Sequence, residues 1–136
     1  MNVRDFNLDT ILDQQAAEGG FTYLAAPYSH DDKAIVRQRV RNINKAAGEL
    51  IARGVLVFSP ISHCHPIAEA IELPGSFEYW QRYNAVMLTA ASSMTVLTLG
   101  GVETSTGVAG ELEIACALDH VCYMLNPLYA LNLDRV

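Results

Sequence analysis

Residues 94–107 read MTVLTLGGVETSTG and join an apolar run to two glycines and a group of hydroxyl side chains. The run carries no charge, as expected of a strand that is buried on both faces. Gly100 and Gly101 allow a sharp turn, and Thr104 or Ser105 can accept a hydrogen bond from the free amides of a helix start. This stretch therefore predicts a strand, a tight loop and the beginning of a helix.

The same unit recurs on either side of this stretch. Further apolar runs at 21–26, 55–58 and 121–125 predict three more strands, because each is bounded by Gly, Pro or Asn. Apolar residues at helical spacing predict helices over about 7–18, 31–54, 78–91 and 104–118. The segment 62–77 contains His, Pro and Gly and is predicted to be rich in loop.

Strands that alternate with helices favour an α/β fold. We expect a small doubly wound parallel sheet of the flavodoxin or Rossmann type, with helices on both faces and the strand order 2-1-3-4. In that order the connections reverse direction between the first and third strands, and open α/β sheets bind ligands at such a point. Loops 27–32 and 100–107 leave the sheet there, so the sequence predicts a site between them.

Composition agrees with one folded domain. The chain has 136 residues, of which 51% are hydrophobic, which excludes a disordered or fibrous protein. We expect a helical N-terminal extension over 1–20, a core over 21–127 and a C-terminal tail over 128–136.

Charge and apolar patterning exclude several classes of partner. Nine Lys and Arg against 15 Asp and Glu give a net charge of −6, which disfavours binding to duplex nucleic acid. The longest apolar stretch, 86–99, is interrupted by Thr and Ser and too short to span a membrane, and the N-terminus does not resemble an export signal. Three cysteines are then expected to be free thiols in a reducing cytoplasm.

The predicted helix start after residue 104 could bind an anion. Ser105 offers a hydroxyl, Gly107 leaves the backbone open, and Glu111 follows about one turn further in. The alternative is that Ser105 only caps the helix and Glu111 is only a surface acid. Glu113 points to a different face of the helix, so one of the two acids at most can face a cleft.

Two motifs carry a resemblance to a known superfamily. Tyr23-Leu-Ala-Ala-Pro-Tyr-Ser and Ser105-x-Gly-Val-x-x-Glu-Leu-x-x-Ala resemble the nucleoside 2-deoxyribosyltransferases, a group that includes deoxynucleoside 5′-monophosphate N-glycosidases. Phe58-Ser-Pro-Ile-x-His-x-His-Pro-Ile and Gly101-x-Glu-x-Ser-x-Gly-Val are similar to an uncharacterised bacterial and phage branch. The resemblance covers roughly residues 21–127.

The resemblance implies roles for individual residues. Glu111 matches the carboxylate that attacks the anomeric carbon of a 2-deoxyribosyl group, so that the base leaves and a glycosyl ester forms. Tyr23 matches the tyrosine that orients this nucleophile, although the residue alone is also typical of a core aromatic. Ser105 matches the serine that contacts the 5′-hydroxyl or 5′-phosphate.

One position departs from the superfamily. Asn84 stands at or next to an expected Asp, and an amide has no titratable proton to give to the leaving base. Other candidates for that role are His30, His63, His65 and Glu78. The sequence also leaves open whether a 5′-phosphate is recognised, because the loop supplies Ser29 and His30 but follows them with two acids.

The predicted site has two groups of residues. The catalytic group is Glu111, Tyr23 and Asn84. The substrate-binding group is Pro27, Ser29, His30, His63, His65, Gly101, Ser105 and Gly107. His63-Cys64-His65 supplies two metal ligands at most, since Cys64 would point the other way in an extended chain, so we expect neither a metal nor another cofactor.

Two further clusters admit more than one interpretation. Five basic residues of one predicted helix form a solvated face or contact an acidic neighbouring subunit: Lys33, Arg37, Arg39, Arg41 and Lys45. Four aromatic residues of another divide between the core and a base or subunit contact: Phe77, Tyr79, Trp80 and Tyr83. The resemblance implies a homo-oligomer, a dimer or larger.

Two functions therefore remain open from the sequence. The first is an enzyme that cleaves or transfers the N-glycosidic bond of a nucleoside or nucleoside 5′-monophosphate. The alternative is a nucleotide-binding or sensing module on the same fold, with its chemistry impaired by Asn84. A flavodoxin-like redox module is weaker, because no hydroxyl-rich phosphate loop follows the first predicted strand.

Overall fold

A five-stranded, all-parallel sheet forms the centre of the computed structural model, which describes residues 2–127. The strands are β1 (Val3–Asp5), β2 (Thr22–Ala25), β3 (Val57–Phe58), β4 (Ser93–Leu97) and β5 (Val121–Leu125), in the order β1-β5-β4-β2-β3. The predicted α/β class and the order of the four predicted strands are confirmed. The predicted C-terminal tail, 128–136, lies outside the described residues.

Five helices cover the sheet, and each begins at a polar cap. They are α1 (Leu8–Glu18), α2 (Lys33–Ala52), α3 (Pro60–Ala70), α4 (Phe77–Ala90) and α5 (Thr106–Ala117). A side-chain oxygen accepts a backbone amide at every start, from Asn7, Asp32, Ser59, Ser76 and Ser105 in turn. Within residues 2–127 no helix combines the length and apolarity needed to cross a bilayer.

The central strands β2 and β4 are buried on both faces, which divides the core into two clusters. Leu24 of β2 packs with Ile11 of α1 and Ile43 of α2 on one face. Tyr23 points to the other face, where it packs with Leu88 of α4 and belongs to the cluster that α5 covers. The alternation of β2 therefore delivers the Tyr23 side chain to the same face as α5.

The prediction of a loop-rich segment over 62–77 is wrong for its first half, where α3 extends to Ala70. Pro60 suits the first helical turn, because backbone amides there have no acceptor within the helix and the N–H that proline lacks would be unpaired anyway. Pro66 lies inside the helix but on its exposed side, while Cys64 and Ala68 are buried. Packing of the buried side outweighs the hydrogen bond that Pro66 removes.

The N-terminal extension is more than the predicted helix, because β1 joins the sheet beside β5. Val3 and Asp5 are paired with Cys122 and Met124. All three residues of β1 are exposed and show no apolar alternation, so the usual sequence pattern of a strand is missing.

A side-chain amide completes the opposite end of the sheet. Gln15 of α1 is 8% exposed. Its Nε2 donates to the Leu56 carbonyl at 2.9 Å, and its Oε1 accepts from the Leu56 amide at 2.9 Å. Gln15 thus pairs with Leu56 as a neighbouring strand would, and it anchors α1 to the segment before β3.

We expect Gln15→Ala to lower the free energy of unfolding by about 1–2 kcal/mol, because it removes both hydrogen bonds and a buried side chain. Urea unfolding measures this difference. Asp13→Ala is the matched control, since Asp13 is exposed on the same helix. Equal stability of the two variants would contradict the anchoring role.

Candidate active site

A cleft of about 490 Å³ opens at the carboxyl edge of β2 and β4, between loops 27–32 and 100–107. This volume is typical of small-molecule sites. Most of the predicted site residues line it: Pro27, Ser29, His30, His65, Asn84, Gly101, Ser105, Gly107 and Glu111. Tyr23 lies behind the cleft wall rather than in it, and His63 lies outside.

Glu111 and Tyr23 form a buried pair at this wall. Glu111 is 6% exposed on α5, and the Tyr23 hydroxyl donates a hydrogen bond to its Oε2. Glu111 is therefore not a surface acid. Tyr23 is both a core aromatic and the partner of the carboxylate, so its two interpretations are compatible.

Burial controls the acidity of this pair. It raises the pKa of Glu111 to about 7, and the Tyr23 hydrogen bond opposes that rise by stabilising the carboxylate. Burial and the nearby Glu111 raise the pKa of Tyr23, so the phenol stays protonated and remains a donor. Glu111 thus exchanges between its charged and neutral forms near neutral pH.

Ser105 both caps α5 and faces the cleft. Its Oγ accepts from the Val108 amide at 3.2 Å, which uses a lone pair and leaves the hydroxyl proton for a ligand. Gly107 lies beside it, and the nearest atoms to a Cβ there would be 3.9 Å away. The start of α5 therefore presents a hydroxyl and unobstructed backbone to the cleft.

Arg39 lines the cleft, which the sequence analysis did not predict. Its guanidinium donates to the Ser29 carbonyl at 2.8 Å and to the Gly100 carbonyl at 3.2 Å, so it bridges the two loops. Gly101 has a φ of +93°, and a Cβ there would lie 2.6 Å from Arg39 Nη2. Neither interpretation of the basic residues of α2, a solvated face or a subunit contact, included a position at the cleft for Arg39.

The two predicted histidines separate on α3, because residues two apart on a helix point about 200° apart. His65 lines the cleft, whereas His63 is exposed and stacks on Tyr83 with ring centroids 6.2 Å apart. The extended chain assumed for His63-Cys64-His65 is wrong, and buried Cys64 also lines the cleft. Nowhere in the described range do three or more His, Cys, Asp or Glu group as metal ligands would.

Aromatic side chains of α4 form another wall. Phe77 and Trp80 line the cleft, and the Trp80 indole donates to the Pro74 carbonyl at 2.7 Å. A Cβ at Gly110 would lie 2.3 Å from Phe77 Cζ, so this glycine lets α4 and α5 approach closely. Tyr79 and Tyr83 remain exposed.

Asn84 contributes an unused acceptor. It lines the cleft, and its Oδ1 is buried without a hydrogen-bond partner in the part of the chain that the structure describes. Buried acceptors in proteins are normally satisfied. A ligand with an N–H or O–H donor would therefore complete this wall.

Tyr28 and two polar side chains complete the opening. The Tyr28 hydroxyl and His65 Nδ1 are 2.6 Å apart. His30 Nδ1 accepts from the Asp32 amide at 2.9 Å, which leaves the proton of a neutral ring on Nε2. Glu78 is exposed in the first turn of α4. These are the titratable groups that a ligand would meet on entry.

Comparison with known proteins adds a family and no activity. The family model described as a domain of unknown function (DUF1937) matches residues 20–126, a range that contains every cleft residue. No curated protein matches the chain.

We expect Glu111→Gln to stabilise the protein at pH 8 by roughly 1–3 kcal/mol, because a neutral amide replaces a buried carboxylate. The raised pKa of Glu111 means that wild-type stability falls as pH rises from about 4.5 through about 7. Below that window the wild type is protonated and the two proteins converge. Thermal melts at pH 5 and pH 8 measure the difference.

Glu113→Gln is the control for this comparison, since Glu113 is exposed on the same helix. It should show no stabilisation that grows with pH. A Glu111→Gln protein that is no more stable than the wild type at pH 8 would contradict the cost assigned to this carboxylate.

Proposed function

The chain belongs to the DUF1937 family, and we propose that it cleaves or transfers the N-glycosidic bond of a nucleoside or nucleoside 5′-monophosphate. The observation that carries the proposal is the Glu111 carboxylate, buried in the cleft wall and held by the Tyr23 hydroxyl. A buried carboxylate fixed by one donor suits a nucleophile better than a surface charge, because it is oriented and poorly solvated.

The reaction uses the ionised form of Glu111. Tyr23 holds Oε2, so Oε1 is the oxygen that attacks C1′ of the sugar. The C1′–N bond breaks, its electron pair leaves with the base, and a glycosyl ester forms on Glu111. Water or a second base then attacks C1′ and releases the carboxylate, as in retaining glycosyl transfer.

The start of α5 suits the 5′ end of the substrate. The Ser105 hydroxyl and the first free amides of the helix favour a 5′-hydroxyl or a 5′-phosphate oxygen. Arg39 adds positive charge nearby, although two of its nitrogens already bind loop carbonyls. Recognition of a phosphate would therefore depend mainly on amides and hydroxyls.

The aromatic wall of the cleft suits a base. Phe77 and Trp80 offer aromatic faces for stacking, and the free Oδ1 of Asn84 can accept from an amino group or ring N–H. These contacts can bind a nucleobase without selecting one.

A nucleotide-binding or sensing module is the second candidate, because Asn84 places no titratable group at its position in the cleft. It predicts that a nucleotide raises the melting temperature without release of base. Assaying base release from the nucleotide that raises the melting temperature therefore separates the two candidates.

We also expect a homo-oligomer that acts in the cytoplasm. Large side chains on one side of α4 are exposed, with Tyr79 at 50% and Val86 at 63%, and a second copy could cover them. Cys64, Cys116 and Cys122 are all free, as thiols are in a reducing compartment.

We expect the native protein to release free base from at least one deoxynucleoside or deoxynucleoside 5′-monophosphate. Chromatography measures the free base. Glu111→Gln should reduce the rate by at least about 10³-fold, since the attacking carboxylate is gone. Glu113→Gln should keep the native rate. Absence of base release by the native protein, or an undiminished rate in Glu111→Gln, would overturn the proposal.

We expect kcat/KM to fall below about pH 7, because Glu111 must be ionised to attack and burial raises its pKa to about 7. Tyr23→Phe removes the hydrogen bond that lowers this pKa, so the acidic limb should move to higher pH and kcat should fall about 10-fold. The pH–rate profiles of both proteins measure the shift.

Tyr123→Phe is the matched control for that profile. Tyr123 is also buried, but its hydroxyl donates to Gln14 and it belongs to the core cluster on the other face of the sheet. An acidic limb that stays in place in Tyr23→Phe, or moves equally in Tyr123→Phe, would argue against the assigned role.

A further inference from the structure

The proposed reaction needs a proton for the leaving base, and Asn84 cannot supply it. We propose that Tyr28 is the group that protonates the base, and that His65, held by Glu69, supplies the proton to Tyr28. This inference rests on the proposed function and names the acid of that same site.

Three side chains form a continuous chain of polar contacts into the cleft, in which a hydrogen bond is followed by an ion-pair contact. The Tyr28 hydroxyl lies 2.6 Å from His65 Nδ1, and His65 Nε2 lies 3.2 Å from Glu69 Oε1. The Glu69 side chain is 67% exposed and the His65 side chain only 13% exposed. The chain therefore leads from solvent, through a half-buried imidazole, to the phenol in the cleft wall.

The fold fixes each member of this chain. Tyr28 follows Pro27 at the end of β2, and His65 and Glu69 are one turn apart on α3. The rings of Tyr28 and His65 pack edge to face with centroids 5.5 Å apart. Gly75 packs against the Tyr28 ring, and a Cβ at Gly75 would lie 3.4 Å from Tyr28 Cε2. Tyr28 is thus held between α3 and the segment before α4.

The other candidate proton donors lie in positions less suited to protonating the base. His63 lies outside the cleft, and His30 and Glu78 are exposed at its opening. The Tyr28 hydroxyl occupies His65 Nδ1 and the Glu69 carboxylate lies 3.2 Å from Nε2, so the proposal routes the His65 proton through Tyr28. The phenol is the end of the chain that faces the cleft.

The proton balance closes in both half-reactions. With His65 protonated, its Nδ1–H donates to the Tyr28 oxygen, and the Tyr28 O–H is free to donate to the base. When the C1′–N bond breaks, the base nitrogen takes the Tyr28 proton and Tyr28 takes the Nδ1 proton. The base leaves neutral, and His65 becomes neutral.

The second half-reaction reverses these transfers. Water, or the N–H of an incoming base, attacks C1′ and gives its proton to Tyr28, which returns one to His65 Nδ1. The Glu69 carboxylate lies 3.2 Å from Nε2, where it stabilises the ring while the ring carries the proton. Burial raises the pKa of Tyr28, so the phenol passes a proton from the imidazolium and does not act as an acid alone.

Leaving-group dependence tests this assignment. Two substrates with the same sugar and 5′ group are compared, the deoxynucleoside or monophosphate that the native protein cleaves fastest and its 4-nitrophenyl analogue. Nitrophenolate leaves without a proton, so only the first substrate needs an acid. Tyr28→Phe and His65→Gln should lose about 10²-fold in kcat on the first substrate and less than about threefold on the second. Glu69→Gln should show a smaller loss of kcat that is likewise confined to the first substrate.

The controls separate this proposal from the proposed function. Glu111→Gln should lose activity on both substrates, whereas Tyr123→Phe should keep its activity on both. Equal losses on both substrates in Tyr28→Phe, or no loss on either, would overturn the relay while leaving the nucleophile in place. A selective loss in His30→Gln or Glu78→Gln instead would move the acid there and also overturn it. Undiminished cleavage by Glu111→Gln, or no cleavage of either substrate by the native protein, would overturn the proposed function itself.

Discussion

The site depends on a buried carboxylate, Glu111, that forms no ion pair with any residue of the range 2–127. Among residues 2–127, Tyr23 is the one hydrogen-bond donor that Glu111 has, and burial raises the pKa of Glu111 to about 7. Two packing arrangements create this condition. The alternation of β2 directs Tyr23 to the face that α5 covers, and Gly110 lets Phe77 of α4 lie against α5. A larger residue at 110 would separate the two helices and admit water to the pair.

Local sequence explains much of the fold and fails where a contact is not local. The apolar runs and capping residues predict β2 to β5 and four of the five helices. The sequence does not predict α3, because Pro66 and two histidines are typical of a loop and the buried side of the helix is short. The strand β1 was missed because it is exposed, and its pairing with β5 is visible only in three dimensions. Gln15 likewise looks like any polar helix residue until Leu56 is placed beside it.

The candidate site divides in the same way. Ser105 and Glu111 were predictable from the helix start that follows Gly101, and Tyr23 from the resemblance of the motif at 23–29. Arg39 was not, since it shares its helix with Arg37 and Arg41 and only the approach of two loops makes it different. The contact between Tyr28 and His65 joins residues 37 positions apart, on elements whose packing the sequence did not indicate. The motifs thus predicted the positions of Glu111 and Ser105, whereas only tertiary contacts show that Arg39 and the Tyr28–His65 pair lie at the same cleft.

The departure at Asn84 becomes consistent with the rest of the cleft when charge is considered. A carboxylate there would share a poorly solvated cleft with Glu111, and two such acids raise the pKa of one another. That repulsion would raise the pKa of Glu111 further, so a smaller fraction of it would be ionised at neutral pH. An amide at 84 avoids that repulsion, and among residues 2–127 its Oδ1 has no hydrogen-bond partner. In the reaction that we propose, the proton then comes from a group that adds no negative charge to the cleft. The Tyr28 phenol, hydrogen-bonded to His65, meets that requirement, because Glu69, the carboxylate beside His65, lies towards solvent.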